Sequence, residues 1–312
     1  MKYSDIALKV LAAKECELIK TNAQFWTQFS EQEKIEAAIL QNDQIIKVIN
    51  SFEQKFISSD SDEGVICAFD NEFPVINQNV KNSDRPFLLF YKGDVTLLND
   101  LNKNVAVIGL IDPTEEIEKR EVEVVKRLVN TDLIIISGLA KGCDAIAHKV
   151  CVDTGNKTIA ILPTQINKIS PAVNRNLAKE IVDKGGLLLT EYYKESTMKQ
   201  EAIGRYIERD RLQAMFSKAV VLIASYRKGE GDSGSRHAME AAKTYGIERY
   251  AMFNEATDID DKQFGLNKDL TNSKYNCVKI LQPSSIEFIK TLINSNLVKK
   301  PDLAKPTQLT LF

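Results

Sequence analysis

The chain has 312 residues, of which 44% are hydrophobic and 27% charged, with a formal net charge of −2. This composition excludes collagen-like and wholly disordered chains, and a nucleic-acid site would have to be a local basic patch. We find no signal peptide and no apolar run long enough to span a membrane, so we predict a cytoplasmic protein. The five cysteines and two histidines are scattered and form no CxxC pair, which argues against a metal site.

The first part of the chain predicts a small helical N-terminal region over residues 1–60, because its apolar residues recur at helical spacing. The polar stretch Ser58–Gly64 marks a boundary. A short strand is predicted at Val65–Phe69, and Arg85–Gly93 is predicted to be an extended segment that closes with a glycine turn.

From residue 104 onward, apolar strands alternate with amphipathic helices. The predicted strands are Asn104–Gly109, Leu133–Gly138, Thr158–Leu162, Leu187–Thr190, Ala219–Ala224 and Arg249–Phe253. This alternation predicts an α/β fold with a Rossmann-like, doubly wound, mostly parallel sheet that has helices on both faces. We assign this domain to residues 65–290 and predict a flexible, proline-broken tail at 296–312. Such sheets bind ligands beyond the carboxyl ends of their strands.

The loop Ser137–Asp144, after the second of these strands, has features of a phosphate site. Gly138 and Gly142 permit a tight turn whose N–H groups can face an anion, and Lys141 adds a positive charge. The alternative is a tight turn that Asp144 caps and that binds no ligand.

A second glycine-rich loop follows the strand Ala219–Ala224. Its donors at a helix start are Gly231, Ser233, Gly234 and Ser235, and the basic residues around them are Arg227, Lys228 and Arg236. Two such loops at the carboxyl ends of two strands favour a ligand site, whereas one loop alone could simply be a mobile surface segment.

Further basic residues could complete the rim of this site. Arg205 and Arg209 lie four residues apart on a predicted helix, and Arg211 follows; the alternative is a solvated face paired with Glu208 and Asp210. Residues past the third strand of the alternating region extend this rim: Lys168, Pro171, Asn174 and Arg175. No Ser/His/Asp set can be assembled from the spacing, so we predict no catalytic residues.

These loops, in this order, resemble the DNA-processing protein A (DprA, also called Smf) family. The matching stretches include Ser137–His148, Thr158–Leu162, Gly186–Glu191, Arg209–Arg211, Ser233–Ser235 and Gly265–Asn267. The resemblance implies a non-catalytic protein without a cofactor that binds single-stranded DNA, forms a homodimer and hands the strand to the RecA recombinase. It implies phosphate contacts from Ser137, Gly138, Lys141 and Gly142, and a basic pocket that is also lined by Lys168, Asn174, Arg209 and Arg211. The loop and rim residues complete the predicted DNA-binding or phosphate-binding site: Arg175, Arg205, Ser233, Gly234 and Ser235.

The sequence departs from the family pattern at several positions, among them Pro163, where a glycine is expected after the third strand. Leu110 and Ile111 follow Gly109, where the family usually has Gly-Ser-Arg, and Asp210 stands in the middle of the usual Arg-Asn-Arg. One alternative is therefore a sensor or enzyme that binds or hydrolyses a nucleotide in the same pocket. Another is an adaptor that works through the helical N-terminal region and the tail.

The last five residues resemble the short peptide by which bacterial proteins dock on the replication sliding clamp. The residues that would insert into the clamp are Gln308, Leu309, Leu311 and Phe312. The alternative is an apolar chain end that packs on its own domain.

Overall fold

The computed structural model describes residues 1–56, 62–231, 234–272 and 278–282. The α-helices of this part are α1 Asp5–Glu15, α2 Asn22–Gln28, α3 Gln32–Leu40, α4 Asp43–Phe56, α5 Glu115–Val129, α6 Cys143–Asp153, α7 Arg175–Asp183, α8 Lys199–Met215, α9 Ser235–Tyr245, α10 Glu255–Asp258 and α11 Gly265–Asn272. The strands are β1 Glu63–Cys67, β2 Leu88–Gly93, β3 Asn104–Ile108, β4 Ile134–Ser137, β5 Thr158–Ile161, β6 Leu187–Thr190, β7 Ala219–Leu222, β8 Glu248–Met252 and β9 Val278–Leu281.

The strands form a single sheet in the order β1-β2-β6-β5-β4-β3-β7-β8-β9. Every pair from β6 to β9 along this order is parallel, and β2 pairs antiparallel with both β1 and β6. This confirms the predicted Rossmann-like, mostly parallel α/β fold. The two early segments form its antiparallel edge, with Val65 opposite Phe90.

Helices cover both faces of the sheet because side chains along each strand alternate between them. Val105 and Val107 of β3 pack with α5 and α6 on one face. Ala106 and Ile108 belong to the core on the other face, which α8 and α9 cover. Helix α7 packs over Ala160 of β5 on the α5 side.

The N-terminal helices pack against the antiparallel edge of the sheet and share a core with it. Phe25 of α2 is fully buried and stacks on Phe87, with ring centroids 4.6 Å apart. The N–H of Lys2 donates to the carbonyl of Glu63 at 2.7 Å, which extends the sheet by one short bridge. Within the described residues, no helix has the length and hydropathy required to cross a membrane.

Candidate functional site

A cavity of about 480 Å³ opens at the carboxyl end of β3. Strand β3 lies between β4 and β7, so the chain winds outward from it in both directions. Open α/β sheets bind their ligands at such a topological switch point. The cavity walls come from the end of β3, the loops after β4 and β7, and helices α8 and α9. A smaller cavity of about 220 Å³ lies beside it, and Tyr206 lines both.

The loop after β4 has a backbone shape that depends on glycine. Leu139 and Gly142 have positive φ angles of 57° and 68°. A Cβ on Gly142 would lie 2.3 Å from the carbonyl oxygen of Leu110, so this position requires glycine for both its conformation and its space. The sequence predicted the tight turn for this reason.

Ser137 and Asn174 hold this loop in place from inside the protein. The hydroxyl of Ser137 is fully buried and donates to the carbonyl of Val107 at 2.7 Å. The amide Nδ2 of Asn174, also buried, donates to the carbonyls of Leu139 and Ala140, both at 2.9 Å. These two side chains were expected to contact phosphates, but their donors are directed to the protein backbone.

Asp144 supplies an anion to the same loop. Its Oδ2 accepts a hydrogen bond from the N–H of Ala140 at 3.3 Å, near the start of α6. Burial raises the pKa of this carboxyl, and the positive charge of Arg209 opposes the rise. Asp144 thus contacts the loop from the first turn of α6, whose N-cap residue is Gly142.

Arg209 is buried beneath the loop and tied to it. Its Nη1 donates to the carbonyl of Ile161 at 3.0 Å and also to the carbonyl of Gly138, and its Nε donates to Asp210 Oδ1 at 3.0 Å. Burial raises the pKa of Asp210 to about 6; Arg209 opposes this rise and Asp144 adds to it. Arg209 lines the cavity, and its hydrogen bonds to Gly138 of the loop and to Ile161 of β5 give it a structural role as well.

Lys141 and Arg175 are the exposed cations beside this loop. Lys141 belongs to the loop itself, next to Ala140, which lines the cavity. Arg175 begins α7 immediately after Asn174, whose amide binds the loop carbonyls. The structure thus brings both predicted cations to the same loop, on its solvent side.

Two other predicted cations lie at the smaller cavity and have partners. Lys168 forms an exposed ion pair with Glu195 at 2.7 Å. Arg205 donates to the carbonyl of Lys194 at 2.8 Å and to Glu201 at 2.6 Å. Both cations are therefore already balanced by acidic neighbours. Glu201 lies four residues before Arg205 on the same helix, whereas the pairing of Lys168 with Glu195 depends on the fold.

Arg211 points away from both cavities and is held by Glu191. The two side chains form a bidentate ion pair with N–O distances of 2.7 and 2.8 Å, and Arg211 Nε also donates to the carbonyl of Asp84 at 3.0 Å. Arg211 was predicted to lie on the rim of the site. Instead, these contacts join α8 to the end of β6 and to the segment before β2.

The second glycine-rich loop borders the cavity at the start of α9. Gly234 and Ser235 line it, and the hydroxyl of Ser235 donates to the carbonyl of Gly109 at 2.9 Å. Ser233 lies outside the described residues, as do the predicted clamp-docking residues Gln308, Leu309, Leu311 and Phe312.

The site residues predicted on α8 were cations, and most of the α8 side chains that face the cavity were not predicted. Ile203, Tyr206, Ile207 and Gln213 all line the cavity, together with Asp210. Their spacing of three and four residues places them on one face of a helix, and this signal was present in the sequence. Among the described residues, no group of three or more His, Cys, Asp or Glu side chains could hold a metal ion.

The fold and the cavity together define a Rossmann-like α/β protein with a glycine-shaped loop and exposed cations at the switch point of its sheet. Residues 64–282, which make up most of the chain, match the family of DNA recombination-mediator protein A. The chain belongs to this family.

Relatives with similar sequences carry the same family names. The DNA processing protein DprA of Streptococcus pneumoniae is 32% identical over 169 residues, which cover 54% of this chain and 56% of that protein. Protein Smf of Borreliella burgdorferi is 29% identical over 169 residues, which cover 54% of this chain and 50% of that protein. The matched region thus spans about half the length of these curated relatives.

Two solved structures share the fold. DprA from Streptococcus pneumoniae matches with a TM-score of 0.60 at 21% identity, over 90% of this chain and 96% of that one. DNA processing protein A from Helicobacter pylori matches with a TM-score of 0.57 at 25% identity, over 76% of this chain and 97% of that one. The Helicobacter pylori work concerns a single-stranded DNA binding mode of that protein.

Proposed function

We propose that this protein binds single-stranded DNA along the loop after β4, at the mouth of the switch-point cavity. The observation that carries the proposal is the arrangement around Asn174. Its amide binds the carbonyls of Leu139 and Ala140, so the backbone next to Lys141 is anchored to the start of α7, where Arg175 is also exposed. An anchored backbone presents these cations to phosphates with less loss of conformational entropy than a mobile loop would.

The predicted site residues have distinct roles in this proposal. Lys141 and Arg175 contact phosphates directly. Gly138 and Gly142 set the backbone shape of the loop that presents Lys141. Ser137, Asn174 and Arg209 position the loop, and Gly234 and Ser235 border the path of the strand. Lys168 and Arg205 extend the path only where a phosphate replaces their carboxylate partners, and this exchange yields little net free energy.

Membership of the family and the single-stranded DNA binding mode described for the Helicobacter pylori relative support this ligand. On this view the protein is a cytoplasmic recombination mediator rather than an enzyme: it holds the strand without a cofactor and delivers it to RecA. It works as a homodimer, and its last residues dock on the sliding clamp. These partners rest on the family resemblance and on the sequence of the tail.

The DNA proposal is tested by fluorescence anisotropy of a labelled oligo-dT, titrated with the protein at about 50 mM and about 200 mM salt. We expect binding that weakens with salt, because phosphate contacts release condensed counterions. The absence of binding at the lower salt concentration would overturn the proposal.

The partners need separate measurements. Light scattering after size-exclusion chromatography reports the homodimer directly. RecA filament formation on strands coated with single-strand-binding protein should start sooner when the protein is added. Binding to immobilised clamp should disappear when Leu311 and Phe312 are both changed to alanine, while binding to oligo-dT stays the same.

A further inference from the structure

One turn of α8 presents hydrogen-bond acceptors to the switch-point cavity. Asp210 Oδ1 accepts from Arg209 Nε at 3.0 Å and from Gln213 Nε2 at 3.1 Å, which leaves Oδ2 for a ligand. Gln213 is only 2% exposed, and within the described residues its Oε1 has no hydrogen-bond partner. A buried amide oxygen without a donor is costly, so its presence at a cavity wall indicates a ligand that donates to it.

The charges around the cavity argue against a phosphate inside it. Its lining contains two carboxyl groups, from Asp144 and Asp210, and two guanidinium groups, from Arg209 and Arg236. Carboxyls in a confined space repel an anion, and guanidinium groups repel a cation. The lining therefore suits a neutral polar group, with the phosphates outside at Lys141 and Arg175.

Part of the wall is apolar although it is exposed to solvent. Ile111, Ile203 and Ile207 are 51%, 54% and 44% exposed, and Tyr206 is 37% exposed. All four line the cavity. Apolar and aromatic walls around a few polar groups are typical of sites for flat heterocycles, and bases of single strands stack on such side chains.

We propose that the switch-point cavity is a guanine site, in which Asp210 Oδ2 and Gln213 Oε1 accept from the N1–H and N2–H₂ donors of the base. Arg209, which lines the same wall, donates to O6. Guanine is the DNA base with two adjacent N–H donors on one edge, whereas adenine and cytosine place a ring acceptor beside their amine and thymine has a single N–H between two carbonyls. This inference rests on the proposed function if the guanine belongs to a bound strand.

The test compares oligo-dT with the same strand carrying one central dG, dA or dC, by anisotropy at fixed salt. We expect the dG strand to bind about tenfold more tightly than the others, as for a bidentate base contact. Asp210→Asn should abolish this preference, because the amide presents a donor where the carboxylate presented an acceptor. The preference is measured within each variant as the ratio of dG-strand to oligo-dT affinity, because Asp210 also pairs with Arg209, which positions the loop. Gln213→Met should also reduce the preference, and Asp183→Asn, at the exposed end of α7, is the matched control.

The outcomes separate this inference from the DNA proposal. Equal affinity for all four strands, or a dG preference that survives Asp210→Asn in a folded variant, would overturn the guanine site while leaving DNA binding intact. Displacement of a fluorescent guanosine nucleotide by GMP but not AMP, without binding of any strand, would support the guanine site and overturn the DNA proposal. Thermal melts of each variant establish that it is folded.

Discussion

Arg211 and Glu191 form a bidentate ion pair in which Nη1 lies 2.7 Å from Oε2 and Nη2 lies 2.8 Å from Oε1. Both side chains are largely buried, with exposed fractions of 15% and 10%. An arginine that was predicted to belong to the DNA site therefore joins α8 to the end of β6.

Arg211→Ala should destabilise the protein by about 3 kcal/mol, because it leaves the buried carboxylate of Glu191 without its partner. Arg227→Ala is the matched control, since Arg227 forms a similar bidentate pair with Asp269 at the surface. We expect a much smaller loss there because solvent screens the pair. Urea unfolding measures both, and equal losses would contradict this account.

Lys141→Glu should weaken binding to oligo-dT by about tenfold and leave the melting temperature unchanged, because it removes an exposed phosphate contact. The slope of log affinity against log salt should become shallower by about 0.7. Lys103→Glu is the control with the same charge change. Lys103 is exposed just before β3, at the amino end of that strand, whereas the loop after β4 lies at the carboxyl ends of the parallel strands. If both variants bind with equal affinity, the loop is not the site.

Gly142→Ala should destabilise the protein by about 3 kcal/mol or more, because the alanine would have a positive φ and a Cβ against Leu110. Gly155→Ala separates these two causes. Gly155 also has a positive φ, of 75°, but no atom lies within 4 Å of a Cβ built there. We expect a cost of about 1 kcal/mol for Gly155→Ala. Equilibrium unfolding in urea distinguishes the two variants, and similar losses would mean that the loop can move away from Leu110.

Glu121 should make stability fall as the pH rises. It is fully buried on α5, and burial raises the pKa of its carboxyl well above the ordinary 4.5. Above this ordinary value the unfolded chain loses the proton while the folded protein keeps it. This group therefore reduces the free energy of unfolding by about 1.4 kcal/mol per pH unit until its folded pKa is reached.

Glu121→Gln should remove this contribution and stabilise the protein increasingly as the pH rises above about 5, until the pKa of the carboxyl in the folded protein is passed. The exposed Glu123→Gln on the same helix should leave the slope as it is. Unfolding free energies across this range provide the measurement. A wild-type slope that Glu121→Gln does not change would show that the carboxyl is ionised in the folded protein.

The alternating part of the fold was predictable because its strands are continuous apolar runs between amphipathic helices. The sequence also located both glycine-rich loops at strand ends, where the cavity lies. Strand β9 escaped prediction: it is a short edge strand with Lys279 and Ile280 largely exposed, so it lacks the buried pattern. Helices α10 and α11 are short and were likewise missed.

The direction of the site side chains was much less predictable. Arg205, Arg209 and Arg211 lie within two turns of one helix, yet they point to the smaller cavity, the loop carbonyls and Glu191 respectively. Which of these environments each arginine meets depends on how α8 packs on the sheet, and local spacing carries no such information. The same holds for Asp144, whose capping role was only one of two alternatives.

The position of β3 at the centre of the sheet also constrains when the cavity can exist during synthesis. Strand β3 pairs with β4, which follows it closely, and with β7, which begins at Ala219. One flank of β3 therefore stays without its neighbour until more than half of the chain has left the ribosome, and pairings this distant in sequence are slow to form. The cavity is thus a late product of folding, and a truncated chain that stops before β7 would contain the loop after β4 without the cavity that it borders.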